Sequence, residues 1–595
     1  MRFLLVALNA KYIHSNSALY SLKRYAGENA VHVETAEYTI NNRMEDILAD
    51  IYGRRPDAVG FSCYIWNWSM IQDIITELHK LLPAIPVWLG GPEVSFDAEK
   101  ILEQYPQITG IMAGEGEETF SELLEYYVNH DRALTEIDGL VLREGATKER
   151  RPLSMTEIPF LYDSLEDFAN RIIYYESQRG CPYRCSYCLS SIDKTVRLRD
   201  INVVKKELQF FLDNRVEQVK FVDRTFNCNH QHAMAVWQYI HEHDNGVTNF
   251  HFEIAGDIIN EEETELLNRM RPGLVQLEIG VQSTNEATLK EIRRVMDIDK
   301  LKAVTAAIKK GGNIHQHLDL IAGLPFEDYE SFSRSFDEVY SMEPNQLQLG
   351  FLKVLKGSYM HEMAEQYGIV YTEKPPYEVL YTRWLSYEDV RRLKKVEEMV
   401  ELYYNSSQFT HTLPVLQKAF VSPFAMYEAL ADYYEKEGCF VQTPSRIYRY
   451  QVLLAFAEVC DKQKLPLYKE LLTFDLYLRE NAKSRPDFAC DLAPYKNEIT
   501  EFYRKEETER RFLPDYTAYD GRQLARMTHL EPFSYPVWEK ADVCVAWKGQ
   551  AGEPGKEGTT EAPDKADLQD VAGYVLFDYQ NRSPLTHEAG VILIR

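Results

Sequence analysis

Over the first 140 residues, short apolar runs alternate with stretches in which apolar residues recur at spacings of three and four. FLLVAL precedes SALYSLKRYA, AVGFSCYI precedes SMIQDIITELHKLL, VWLGG follows, and ITGIMAG precedes ETFSELLEYYV. Short apolar runs bounded by turn residues read as buried strands and the 3–4 spacing as amphipathic helix, so the alternation predicts a doubly wound Rossmann-like α/β domain over residues 1–140. Residues 141–170 hold REGATKERRP and IPFLYDSLEDF, have little periodicity and read as a linker. From Arg171 the rhythm resumes with six strand candidates: IIYYES (172–177), QVKFVD (218–223), NFHFEIA (249–255), LVQLEIGVQ (274–282), IHQHLDLIAG (314–323) and QLQLGFLKV (346–354). Six βα units over 171–358 are too few for a closed eight-fold barrel.

The pattern changes near residue 360. LSYEDVRRLKKVEEMVELYYNS, SPFAMYEALADYYEKEG, RIYRYQVLLAFAEVC and KLPLYKELLTFDLYLRENA all carry helical spacing, which predicts an α-helical C-terminal domain over 359–510. Its tyrosines, among them Tyr403, Tyr404, Tyr433 and Tyr434, could line a chamber or fill an amphipathic core. A small α/β tail over 511–595 contains two strand-like runs, DVCVAWK (542–548) and GYVLFDYQ (573–580). Between them a Gly-, Pro- and charge-rich insert, about 549–568, is expected to be disordered.

At 595 residues and 69.3 kDa the chain is long enough for several cores. No run approaches the ~18 apolar residues of a membrane span, and MRFLLVALNAKY reads as a first strand rather than a signal peptide. Nine cysteines are present, and Cys63, Cys228, Cys439, Cys460, Cys490 and Cys544 are scattered, which suits a reducing, cytoplasmic setting. A net charge of -26 opposes nucleic acid and makes a small molecule or peptide the expected substrate. Arg391, Arg392, Lys394 and Lys395, followed by Glu397, Glu398 and Glu401, read as one solvated helix face.

The chemistry concentrates in YYESQRGCPYRCSYCLSS, residues 174–191. Cys181, Cys185 and Cys188 follow C-x-x-x-C-x-x-C, a spacing that lets three thiolates converge on one face of a loop. Thiolates select iron–sulfur clusters, and three ligands on a cluster that takes four leave one iron open. A zinc site completed by His230 or His232, or part of a disulfide framework, would use the same residues.

The loop resembles that of the radical S-adenosylmethionine (SAM) superfamily, with Tyr187 as the aromatic residue before the third cysteine. The resemblance implies a [4Fe–4S] cluster whose open iron takes the amino and carboxylate groups of SAM, an open partial (β/α)6 TIM barrel, and an external electron donor of flavodoxin or ferredoxin type. It also assigns strand-end residues to SAM: Asp223 and Asn227 to the amino group, Glu253 to ribose or methionine, and Gln282 and Ser283 to ribose. Ile321, Gly323 and Pro325 of DLIAGLP match the adenine-side turn. FVDRTFN departs from the usual glycine-rich turn at the second strand.

The preceding domain resembles the cobalamin-binding domain of B12-dependent radical SAM enzymes. VGFSCYIWNW (59–68), VWLGGPEVSF (87–96) and GIMAGEGEETF (110–120) look like the three loops around the corrin. With the turn after the first strand, this implies cobalamin contacts from Asn9, His14, Ser62, Tyr64, Gly90, Gly91, Pro92, Glu93, Gly114, Glu115 and Gly116. The D-x-H-x-x-G pattern of many B12 domains falls on Tyr12, His14 and Ser17, lacking its aspartate and glycine. Cobalamin without a protein histidine on cobalt is therefore expected, with His14 near the corrin or in a helix cap beside Ser15 and Asn16. The family's chemistry is SAM cleavage to a 5′-deoxyadenosyl radical and methylation or another modification of an unactivated carbon. A radical SAM enzyme without functional cobalamin, or a non-catalytic Fe–S or zinc protein, are the competing readings.

Overall fold

A computed structural model describes residues 1–130, 132–441, 445–539 and 572–594. The strand expected at 542–548, the insert at about 549–568 and Cys544 lie outside the described residues. The chain forms two compact units, Met1–Ser335 with Leu349–Val390, and Phe336–Gln348 with Arg391–Arg595.

The first unit opens with a seven-stranded sheet in the order β2-β1-β3-β4-β5-β6-β7. The strands are β1 (Phe3–Asn9), β2 (Val33–Thr39), β3 (Ala58–Ser62), β4 (Val87–Gly90), β5 (Gly110–Met112), β6 (Leu140–Leu142) and β7 (Gly145–Ala146). The first five run parallel, and β6 and β7 add antiparallel to the edge. The 2-1-3-4-5 order reverses direction between β1 and β3, and ligands of such sheets sit beyond the strand ends at that switch point. Helices cover both faces, so β1 is buried at all seven positions. Strand β2, VETAEYT, is half-buried at the edge and mixes polar with apolar residues, so it lacks the apolar run that marks its neighbours. The β6–β7 hairpin carries the sheet into the stretch expected as a linker.

The second sheet has the order β15-β14-β13-β12-β11-β8. Its strands are β8 (Ile173–Tyr175), β11 (Gln218–Phe221), β12 (Asn249–Ile254), β13 (Val275–Gln282), β14 (His315–Ala322) and β15 (Gln346–Phe351), between which the short antiparallel pair β9 (Gln178–Arg179) and β10 (Arg197–Leu198) intervenes. It is an open half-barrel with β8 and β15 as edges. Helices behind it begin on side-chain caps: Asp200, Asn229, Asn260, Asn285 and Asp297 each accept from backbone N–H groups of the first turn. The outer face is apolar, with Phe221 and Phe226 both 4.4 Å, ring centre to ring centre, from Phe252.

The second unit is mainly helical, with long helices Pro423–Lys436, Arg446–Cys460, Leu465–Arg479 and Lys496–Glu509. It ends in an antiparallel sheet of Thr528–Phe533, Gly573–Arg582 and Ala589–Ile594. Tyr403 and Tyr434 are buried with their hydroxyls 2.5 Å apart, and Tyr404 donates to the Pro344 carbonyl at 2.5 Å. These three tyrosines fill a core and do not line a chamber. No helix among the described residues is long and apolar enough to cross a membrane.

Candidate cluster and cofactor site

The cysteine loop is an excursion from the β9–β10 hairpin. Gly180 opens it at φ +84°, and a Cβ there would lie 2.3 Å from the Thr195 carbonyl oxygen, so glycine is required. The Cys181 N–H donates to the Asp193 carbonyl at 2.9 Å, and the Ser186 N–H to that of Ile292 at 2.9 Å. Cys181 and Cys185 are buried and Cys188 half-buried; all three are free thiols. Burial, above all, pushes the Cys181 thiol up.

The zinc and disulfide readings find no support here. His230 Nδ1 lies 2.8 Å from Glu263 Oε1, and His232 Nε2 lies 2.9 Å from Ser177 Oγ. Neither histidine is offered to the loop. Among the described residues no group of three or more His, Cys, Asp or Glu side chains is placed to hold a single metal ion.

Nothing in the sequence marks Arg294 as a site residue. One of its terminal nitrogens lies 3.7 Å from Cys185 Sγ and 3.5 Å from the Tyr187 hydroxyl, and the other donates to the Gly280 carbonyl. Its Nε is buried without a partner. In sequence, Arg293-Arg294 closes the short helix Glu286–Glu291 and looks like a solvated charge pair; only the fold turns Arg294 inward.

Asp223 and Asn227, expected at the SAM amino group, are engaged with protein partners in the structure. Both are fully buried with their polar atoms committed to protein. Asp223 accepts from the Ser177 N–H at 2.8 Å, the Ser177 hydroxyl at 2.5 Å and the Gln178 N–H at 3.2 Å. Asn227 bridges the Ala255 carbonyl and N–H at 2.8 and 2.9 Å. They tie strand ends together beneath the loop, because a polar strand-end residue can point inward as readily as outward. Full burial pushes the Asp223 carboxyl up to about 8. Glu253, half-buried on the inner face of the half-barrel, pairs with Arg224.

Gln282 adopts φ +74°, and its side-chain oxygen is buried without a partner. Ser283, expected beside it at ribose, instead donates to Glu327 Oε1 at 2.6 Å, an oxygen that also accepts from Ser335 at 3.0 Å. Burial pushes the Glu327 carboxyl up to about 7. Gly323 has φ +90°, and a Cβ there would lie 2.8 Å from Val379. Ile321 and Asp319 share the inner face of β14, with Asp319 3.0 Å from His317.

At the other sheet, Ser62, Tyr64, Gly90, Gly91, Pro92, Gly114 and Gly116 surround one cavity of about 680 Å³. The cavity runs inward past Leu5, Gly60 and Leu22 and is also lined by Leu189 and Ile192 of the cysteine loop. Its glycines keep it open: a Cβ on Gly60 or Gly116 would come within 3.0 Å of Phe3 or 3.1 Å of Leu22. A Cβ on Gly91, at φ +110°, would lie 2.5 Å from the Cys63 carbonyl oxygen. Tyr64 stacks on Trp66 at 4.4 Å.

Asn9, His14, Glu93 and Glu115 do not line this cavity. Asn9 donates to the His14 carbonyl and Glu37 at 3.0 and 2.6 Å, and His14 Nδ1 lies 2.6 Å from the Tyr174 hydroxyl. Glu93 accepts from Tyr377 and lies 3.6 Å from Lys356. Glu115 pairs with Arg197 at 2.6 Å. Loop membership alone does not reveal that these side chains turn to protein partners away from the cavity.

A doubly wound domain with a deep cavity at its switch-point end, followed by a half-barrel whose first strand leads into a three-cysteine loop, defines a radical SAM protein of the B12-binding type. Residues 4–124 match the B12 binding domain, 175–339 the radical SAM superfamily, and 365–548 a protein family of unknown function, DUF4080. The chain thus carries a B12-binding domain, a radical SAM domain and a C-terminal region of the DUF4080 type. It is 23% identical to the cobalamin-dependent radical SAM methyltransferase TokK of Streptomyces tokunonensis over 74% of this chain and 68% of the relative. The fold is shared with the cobalamin-dependent SAM radical enzyme OxsB, solved with aqua-cobalamin and SAM bound, at TM-score 0.56 and 15% identity over 87% of this chain and 80% of that one. It is shared too with the methyltransferase TsrM of Kitasatospora setae, solved with cobalamin and a [4Fe–4S] cluster, at TM-score 0.53 and 18% identity over 63% and 78% of the two chains.

Proposed function

We propose that the protein uses a [4Fe–4S] cluster, SAM and cobalamin to methylate an unactivated carbon of a small-molecule or peptide substrate, drawing electrons from an external flavodoxin- or ferredoxin-type donor. The observation that carries this reading is the single cavity lined both by the glycines of the B12-binding domain and by Leu189 and Ile192 of the cysteine loop. When bound, these groups together supply a 5′-deoxyadenosyl radical and a transferable methyl group.

The chain's own part is to hold and orient. Cys181, Cys185 and Cys188 would bind the cluster. The Arg294 guanidinium beside Cys185 and Tyr187 would pair with the carboxylate of SAM. The unpartnered Gln282 oxygen can accept from a ribose hydroxyl, and Gly323 lets backbone approach a base. Gly90, Gly91, Gly114 and Gly116 let backbone approach a corrin, while the apolar walls at Leu5, Leu22 and Met112 exclude water. His14, engaged with Tyr174, is not offered to cobalt.

Anaerobic incubation of the loaded enzyme with host extract and methyl-labelled SAM tests the reading. A labelled product that requires added cobalamin is expected; SAM cleavage with no cobalamin dependence would leave the B12-binding domain without its assigned role.

A further inference from the structure

The two arginines at the neck of the cysteine loop are both held by the turn that follows β5. Arg179 and Arg197 face each other across the β9–β10 pair, one entering the loop and the other leaving it. Arg197 grips both oxygens of Glu115, at 2.6 and 3.2 Å, in a two-pronged geometry. Arg179 reaches Glu117 at 2.5 Å and Glu115 at 3.6 Å. Glu117 is 5% exposed and also accepts from Ser21 at 2.9 Å, so it cannot follow a moving partner. From Arg197 the connection continues inward: the same guanidinium holds the Asp193 carboxylate at 2.7 Å, and the Asp193 carbonyl accepts the Cys181 N–H at 2.9 Å. Ion pairs from Glu115 through Arg197 to Asp193, closed by one backbone hydrogen bond from Cys181 to Asp193, therefore join Gly114-Glu115-Gly116-Glu117, the turn at the cavity, to the first cysteine.

We propose that Glu115 and Glu117 are positioning residues that tie the cysteine loop to the cavity turn, so that cobalamin in the cavity orders the loop before any cluster is present. The proposal rests on the reading that this cavity takes cobalamin. Directional ion pairs of this kind fix register more than they add stability. The turn's two glycines, Gly114 at φ +83° and Gly116, make it a segment whose conformation a ligand can set. A ligand that orders the turn then orders the neck, because among the described residues Glu115 and Glu117 are the carboxylates that these guanidinium groups meet on the B12-binding side.

Hydrogen exchange of the full-length, cluster-free chain with and without hydroxocobalamin tests this. Cobalamin is expected to slow exchange of amides in 180–196 about tenfold, within the usual range of coupling between sites, as well as those in 87–96 and 110–120. In Glu115→Gln, and in the milder Arg197→Lys, protection of the cavity loops should persist while that of 180–196 is lost. Protection confined to the cavity loops in the wild-type chain, or 180–196 still responding in both variants, would overturn the proposal. No protection anywhere would instead mean that cobalamin does not bind, and would remove the functional reading itself.

Discussion

The seven-stranded sheet and the half-barrel are written in the same βα rhythm, yet they treat their two faces differently. In β1 all seven residues are buried, whereas in β13 buried and half-buried positions alternate from Val275 to Val281. The inner face of the half-barrel carries Lys220, His251, Glu278, His317 and Asp319, where a closed barrel would have branched apolar side chains. Lys220 and His251 both donate to Glu278, at 3.1 and 2.9 Å. Burial works against the Glu278 charge, but His251 and Lys220 outweigh it and hold the carboxyl down at about 2. The contrast teaches where space is left: the first sheet opens a cavity that reaches its strand ends, whereas the second keeps a polar lumen.

The largest expected effect separates the two sheets. Cys185→Ala should abolish cluster iron and SAM cleavage while cobalamin affinity stays within about twofold, read by iron analysis and corrin absorbance. Conversely, Gly91→Ala forces a Cβ into the Cys63 carbonyl and should cost about 3 kcal/mol and most cobalamin binding, with cluster loading retained. Glu278→Leu tests the polar lumen. Were that face a dry core, the substitution would stabilise; stranding Lys220 and His251 should instead cost about 2 kcal/mol in urea unfolding of the cofactor-free chain.

A smaller, pH-dependent effect belongs to Asp223. Its folded value near 8 lies above the ~4 of an unfolded carboxyl, so its contribution is fully present below pH ~4 and lost as pH rises through 8. Between pH 5 and 9 the wild-type chain should lose more stability in urea unfolding than Asp223→Asn, which has no such carboxyl to ionise. Least of all, Tyr403→Phe should cost about 1 kcal/mol and leave cobalamin and SAM binding unchanged, because that hydroxyl serves a helical core.

The same contrast explains what could be read from the sequence. The cysteine loop, the strands of the half-barrel and the glycine turns were legible because spacing, alternation and glycine each carry a direct steric or chemical meaning. Edge strand β2 was not, since half-burial erases the apolar run. Asp223, Asn227, Ser283 and Glu115 sit at the strand ends where they were expected, but their side chains turn to protein partners distant in sequence. Arg294 escaped notice for the opposite reason, a charge that looks solvated until the helix before it is packed.

In the proposed function, the three-cysteine loop and the cavity of the first domain serve one reaction. The most direct test is anaerobic reconstitution with iron and sulfide, followed by reduction in the presence of SAM and hydroxocobalamin. About four irons per chain, formation of 5′-deoxyadenosine and a corrin spectrum altered by binding are expected together. Stoichiometric zinc with no SAM cleavage, or SAM cleavage with an unchanged corrin spectrum, would contradict the account.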